Sequence, residues 1–258
     1  MLENICIENI WKRGFEDADM IEVEEKARIE ASSNTEKCIK KYQQLEQSRN
    51  GKYISSDLMK LVFDDYAKDI DFRKKYNLAV SNSAACLANK AFREEIANSK
   101  VKHCIFVAGA YGSGKSFLIQ SLYEKNKEEL EDSIVYEGSI TTKAIDEKIE
   151  TALQNGITPS IIVLNPTLEL SMRNIKNRAK RIGRDVRKED CVHVYANIYG
   201  ALKRLKEKYE DISFVIYNKE TNIPVNFDVS TNIEELNHGT YDELSCEYDE
   251  IMKKIEQE

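Results

Sequence analysis

The chain has no long apolar run. No stretch approaches 18 consecutive apolar residues, so no segment reads as a membrane-spanning helix. Glu3 and Glu8 interrupt the N-terminus, so a secretory leader is not expected. There is no Cys-x-x-Cys pair. Cys6, Cys38, Cys86, Cys104, Cys191 and Cys246 are scattered, which matches no common zinc spacing and gives no disulfide framework. Free thiols in a reducing compartment are the expectation, and with them a cytoplasmic protein. Cationic excess is missing too. The 38 Lys and Arg stand against 45 Asp and Glu, a formal charge of −7 mixed along most of the sequence. No broad basic face or aromatic-rich basic groove is therefore expected, and nucleic acid is disfavoured as a partner. Repeats and low-complexity tracts are absent, and the Cys and His residues show no convergent spacing.

With 258 residues, 41% hydrophobic and 32% charged, the chain suits one large α/β domain with appendages, or two small domains. Residues 1–50 are polar and helix-prone, with Ile21, Val23, Ala27 and Ile29 forming a weak apolar stripe. A break at Ser32-Ser33-Asn34-Thr35 and a second helix over Glu36–Gln47 follow, and Asn50-Gly51 marks a turn. From there, strands and helices alternate. Tyr53 to Asp57 predicts a short strand ending in an acid, Leu58 to Tyr66 a helix, and Ser83 to Ile96 another. Further strands are expected at Cys104–Ala108, Ser133–Glu137, Ser160–Leu164 and Ser213–Asn218. Between and after them come helices at Thr141–Gln154, from Leu170 to near Gly183, at Lys188–Lys208, and in the tail Thr240–Glu258. Alternating units of this length predict an α/β fold with a mainly parallel sheet, helices on both faces, and ligands at the C-terminal strand edges.

One segment carries most of the chemistry. Gly109-Ala110-Tyr111-Gly112-Ser113-Gly114-Lys115-Ser116 is a P-loop pattern, set between an apolar strand and the helix that starts near Phe117. Glycines let backbone N–H groups turn inward around phosphate oxygens, and the helix start adds further donors. Lys115 would reach the β- and γ-phosphates of ATP, and the Ser116 hydroxyl would hold Mg²⁺. A glycine turn that binds nothing is the ordinary alternative.

Phosphoryl transfer also needs a carboxylate near the acceptor hydroxyl and cations over the developing charge. Glu137 ends the strand after the loop helix, where a parallel neighbour of the loop strand would set it beside the phosphates. An exposed helix-start residue is the other reading. Asp57 lies upstream of the loop, where an ordinary kinase has no catalytic acid, and it equally suits the N-cap of the helix at Leu58. Arg173, Arg178, Arg181, Arg184 and Arg187 follow a strand and a proline turn, where small kinases carry a lid. Such a helix is either solvated or a set of planar forks for phosphate oxygens.

In this order the pieces resemble the zeta-toxin family of P-loop kinases. Ile134-Val135-Tyr136-Glu137-Gly138-Ser139 is similar to that family's strand ending in Glu-Gly-Thr. Arg173, Arg178 and Gly183-Arg184-Asp185-Val186 resemble its lid, and Val215-Ile216-Tyr217-Asn218 its last strand. One departure is large. The family places an aspartate strand and a helical stretch between the P-loop helix and the Glu-Gly-Thr strand, but only about eight residues separate Lys127 from Tyr136 here. Tyr53 to Ile96 resembles the missing piece, as in a circular permutation, with Ile54-Ser55-Ser56-Asp57-Leu58 similar to the aspartate strand. The other possibility is that the insertion is simply lost.

The resemblance implies a three-layer P-loop kinase fold over 51–225, with an N-terminal helical extension at 1–50 and a C-terminal tail at 226–258 ending in a helix. It implies Asp57 as catalytic base, Lys115, Arg178 and Arg184 on the transferring phosphate, and Glu137 and Arg173 toward the acceptor. The nucleotide would lie along Gly109 to Phe117. ATP, Mg²⁺ and a small acceptor such as the UDP-sugar UDP-N-acetylglucosamine are implied, as is an antitoxin-like inhibitor. Residues 1–50 could play that inhibitory part or wrap one sheet face. The rival expectations are a polynucleotide or nucleoside kinase, and a nucleotide-binding module without transfer. A helicase or motor is disfavoured, because the strand after the loop helix ends in a single acid, Glu137.

Overall fold

The structure is a computed structural model that describes residues 7–98, 100–125, 128, 130–183, 185–219 and 228–257. Two helices, α1 (Ala18–Ser33) and α2 (Thr35–Gln43), lead to the short strand β1 (Tyr53–Ser55). Four helices follow: α3 (Ser56–Met59), α4 (Asp64–Ala67), α5 (Ile70–Tyr76) and α6 (Ser81–Ile96). Then come β2 (His103–Gly109), α7 (Lys115–Lys125), β3 (Ser133–Glu137), α8 (Ala144–Gln154), β4 (Ser160–Pro166), α9 (Leu168–Ile182) and α10 (Lys188–Lys208). The chain ends with β5 (Ser213–Lys219), β6 (Asp228–Ser230) and α11 (Tyr241–Gln257). The expected boundary at 225/226 lies outside the described residues.

Six strands form one sheet in the order β1-β3-β2-β4-β5-β6, parallel throughout except for the antiparallel β5–β6 pair. This is the expected mainly parallel α/β architecture. Alternation along the strands splits the side chains between two faces. Ile54, Phe106, Ile134, Tyr136, Ile161 and Ile216 pack with α6, α8 and the C-terminal half of α10 in the larger core. Tyr53, Val107, Val135 and Leu164 pack with Leu118, Ile119 and Tyr123 of α7 on the other face. Beyond the strand ends, α9, α10 and α11 make a third cluster around Met172, Ile175, Tyr195 and Leu244. Among the described residues, no helix is long and apolar enough to cross a membrane.

The N-terminal helices belong to the larger core through Val23, Ala27, Ala31, Ile39 and Tyr42. The expected stripe was only half right, since Ile21 and Ile29 are exposed. Val23, Ala27 and Ala31 recur every four residues on one face, and a residue two positions away points nearly opposite. The single helix expected over Leu58–Tyr66 is also broken. Phe63 is extended (φ −87°, ψ 117°), which lets Val62, Phe63 and Tyr66 all bury.

Helix α2 also closes an exposed sheet edge. Strand β1 is terminal in the sheet, and the buried Tyr42 hydroxyl stands in for a further strand. It donates to Tyr53 O (2.7 Å) and accepts from Ser55 N (3.0 Å). Tyr42→Phe leaves two buried backbone groups without partners, so we expect a loss of about 2 kcal/mol, read as a drop in denaturation midpoint at unchanged m-value.

Lys148 of α8 is buried beneath the sheet, its Nζ 4.9 Å from the Tyr136 ring centre. Burial pushes its amine down to about 8, against a smaller upward pull from Glu147. The unfolded amine titrates near 10.4, so folding is penalised wherever the unfolded chain alone holds the proton more tightly. The penalty is full below pH 8 and fades as pH rises toward 10. Lys148→Met should therefore stabilise the protein at pH 7 by on the order of 2 kcal/mol, with the advantage shrinking at pH 10. Thermal melts at both pH values check this.

Candidate active site at the glycine loop

The loop from Gly109 to Ser116 leaves the C-terminal end of β2 and runs into the first turn of α7. Its backbone is fixed from one side by α9. Gly112 has φ +73°, and a Cβ there would stand 2.4 Å from Ser171 O, so both conformation and space demand glycine. Asn174 Nδ2 also donates to Gly112 O (2.8 Å). Ala110 and Ser113 are buried, while Tyr111, Ser116 and Phe117 are exposed. Lys115 folds back over the loop, its Nζ donating to Gly109 O (3.1 Å) and Ala110 O (2.8 Å).

Parallel pairing sets the acids beside this loop. Glu137 sits level with Val107 of β2 on one side and with Ser55 of β1 on the other. Two residues past Ser55, Asp57 lies in the first turn of α3. The N-cap reading for Asp57 is corrected. Ser55 is the cap, its Oγ accepting from Leu58 N at 3.4 Å, which leaves the Asp57 carboxylate for other work. That carboxylate pairs with Lys60 Nζ (3.0 Å), a buried amine that also donates to Asn77 Oδ1 (2.8 Å).

Two cavities meet at Asp57. The inner one, about 190 Å³, is lined by Asp57, Ser116, Glu137, Tyr53 and Arg73. The outer one, about 670 Å³, is lined by Asp57, Lys60, Tyr111, Arg178, Arg187 and, from the N-terminal segment, Arg13. Burial, with the nearby carboxylates of Asp190 and Asp57, pushes the Tyr111 phenol up. The sequence reading is thus sorted by place. Asp57, Ser116 and Glu137 share the inner cavity, and Arg178 and Tyr111 face the outer one. Arg173 lies apart, paired with Glu169 (2.9 Å) and lining a separate hollow between α9 and α11. Arg187 pairs with Asp190, Arg181 is exposed, and Arg184 lies outside the described residues.

Tyr53 and Arg73 are site residues that the sequence reading missed. The Tyr53 hydroxyl donates to Glu137 Oε2 and lies beside the Ser116 hydroxyl. Burial, followed by the charge of Glu137, raises the Tyr53 pKa strongly, which keeps the phenol a proton donor. Nothing local marks Tyr53: in the sequence it is one aromatic of a three-residue strand. Among the described residues, no cluster of three or more His, Cys, Asp or Glu could hold a metal.

These elements define a mainly parallel α/β protein with a glycine loop and paired acids at the C-terminal edge of its sheet. No protein-family model matches the sequence, and no curated protein matches it significantly.

Proposed function

We propose that the chain is an ATP- and Mg²⁺-dependent phosphotransferase of zeta-toxin type, moving the γ-phosphoryl group of ATP to a hydroxyl of a small acceptor such as a nucleotide sugar. The observation that carries this reading is the inner cavity itself, which gathers an acid from upstream of the loop, Asp57, with Ser116 and Glu137. The order β1-β3-β2 supports the permutation. The aspartate strand keeps a parallel place beside the Glu137 strand, although its segment precedes the loop in the chain.

The loop suits a polyphosphate. A Cβ at Gly114 would meet nothing within 4 Å, so the approach to its backbone is open. The inner cavity offers oxygen donors (Ser116, Glu137 and Asp57), the set a hard cation takes. Mg²⁺ bound at Ser116 would neutralise charge on the phosphates. Lys115 would swing from the loop carbonyls onto phosphate oxygens. Asp57 would accept the proton of the acceptor hydroxyl, with Lys60 fixing its orientation. Glu137, held by Tyr53, would bind the acceptor, and Arg178 would counter charge from the lid side. Packing of α1 and α2 into the main core favours a structural wrap over a detachable inhibitor.

The test is incubation with γ-labelled ATP, Mg²⁺ and a panel of UDP-sugars, nucleosides and 5′-hydroxyl oligonucleotides. Label on a small-molecule hydroxyl supports the reading. Label on the oligonucleotide alone would favour a polynucleotide kinase. Bound ATP with no transfer to any of them would leave a nucleotide-binding module, a reading that the Asp57–Lys60 pair would also suit.

A further inference from the structure

Arg73 of α5 enters the inner cavity beside Asp57, Ser116 and Glu137. Its guanidinium is barely used by the fold. Nη2 donates to Ala67 O at a long 3.3 Å, and Nε is buried with no hydrogen-bond partner. Among the described residues it has no ion pair, although two carboxylates line the same cavity. A buried donor left unpaired is costly, and structural arginines are normally satisfied. Helix α5 is also fixed in place. Gly183, with φ +75°, ends α9 directly against it, and a Cβ there would lie 2.5 Å from Ile70 O. The helix bearing Arg73 is thereby clamped to the one bearing Arg178.

We propose that Arg73 is a catalytic residue whose planar fork binds two non-bridging oxygens of the transferring phosphoryl group. The inference rests on the phosphotransferase reading and adds a cation that no part of that reading contains. In the step, the acceptor oxygen forms a bond to the γ-phosphorus while its proton passes to Asp57. The bond from the γ-phosphorus to the β–γ bridging oxygen breaks, and ADP leaves with that electron pair. Arg73 holds charge on the phosphoryl oxygens as it spreads, through Nε and a terminal nitrogen together. Neither atoms nor electrons are left over.

The experiment compares wild type with Arg73→Met and Arg73→Lys in three measurements: affinity for ADP, affinity for ADP with aluminium fluoride, and thermal midpoint. Expected for Arg73→Met are an ADP affinity within about twofold of wild type and loss of the tightening that aluminium fluoride confers. Transfer or ATP hydrolysis should fall by about 10³-fold, the scale of a phosphate-directed arginine. The midpoint should not fall, because an unpaired buried donor is removed. Arg73→Lys should recover little, since an ammonium lacks the fork. Unchanged aluminium fluoride tightening in Arg73→Met would overturn the inference while leaving the kinase reading intact. A lowered midpoint with unchanged turnover would make Arg73 structural and overturn it equally. Failure of wild type to bind ADP at all would sink the phosphotransferase reading, and this inference with it.

Discussion

Lys115→Ala should cut phosphate transfer by at least about 10²-fold, the scale for removing one preorganised charge from a developing anion. The lysine is the only cation within the loop sequence Gly109–Ser116. In this structure its amine satisfies loop carbonyls at Gly109 and Ala110. Both hydrogen bonds are only partly buried, so water can replace the amine and the thermal midpoint should move little. ATP affinity should fall together with transfer, because the same amine would touch the ground-state phosphates. A titration with ATP beside a melting curve separates this outcome from simple unfolding.

Asp57→Asn makes the opposite split. Transfer should fall by about 10²–10⁴-fold, the usual worth of a positioned general base, while ATP affinity stays within about twofold. The stability effect differs as well. Lys60 is almost wholly buried and loses its charged partner at 3.0 Å, although the amide oxygen still accepts a hydrogen bond. A destabilisation of about 1–2 kcal/mol is expected, and Lys60→Met in the same background should recover it without restoring transfer. Full transfer in Asp57→Asn would strip Asp57 of the part of general base while leaving a working phosphotransferase.

What the sequence made legible was local. The glycine loop depends on a spacing within eight residues, and the strands after it are short apolar runs whose burial needs no special partner. Helix α10 spans Lys188–Lys208 as the pattern predicts. Legibility failed where distant segments meet. The N-cap role passed from Asp57 to Ser55, because the first turn of α3 begins two residues earlier than the apolar pattern indicates. Tyr53 gains meaning only when β1 pairs with β3, which puts its hydroxyl on a carboxylate 84 positions away. Arg73 looks like one more charge in a basic stretch, Arg73-Lys74-Lys75, and only the folded chain brings it to one cavity with Asp57, Ser116 and Glu137. The arginine cluster was read as one lid, yet the fold sends Arg173 and Arg178 to different openings.

The most direct test is a crystal structure of the full chain with Mg²⁺ and a non-hydrolysable ATP analogue. The account predicts β- and γ-phosphates cradled by residues 109–116, Lys115 moved off its carbonyls, and the terminal phosphate in the inner cavity facing Asp57. An analogue bound elsewhere, or a terminal phosphate turned away from Asp57, would contradict it.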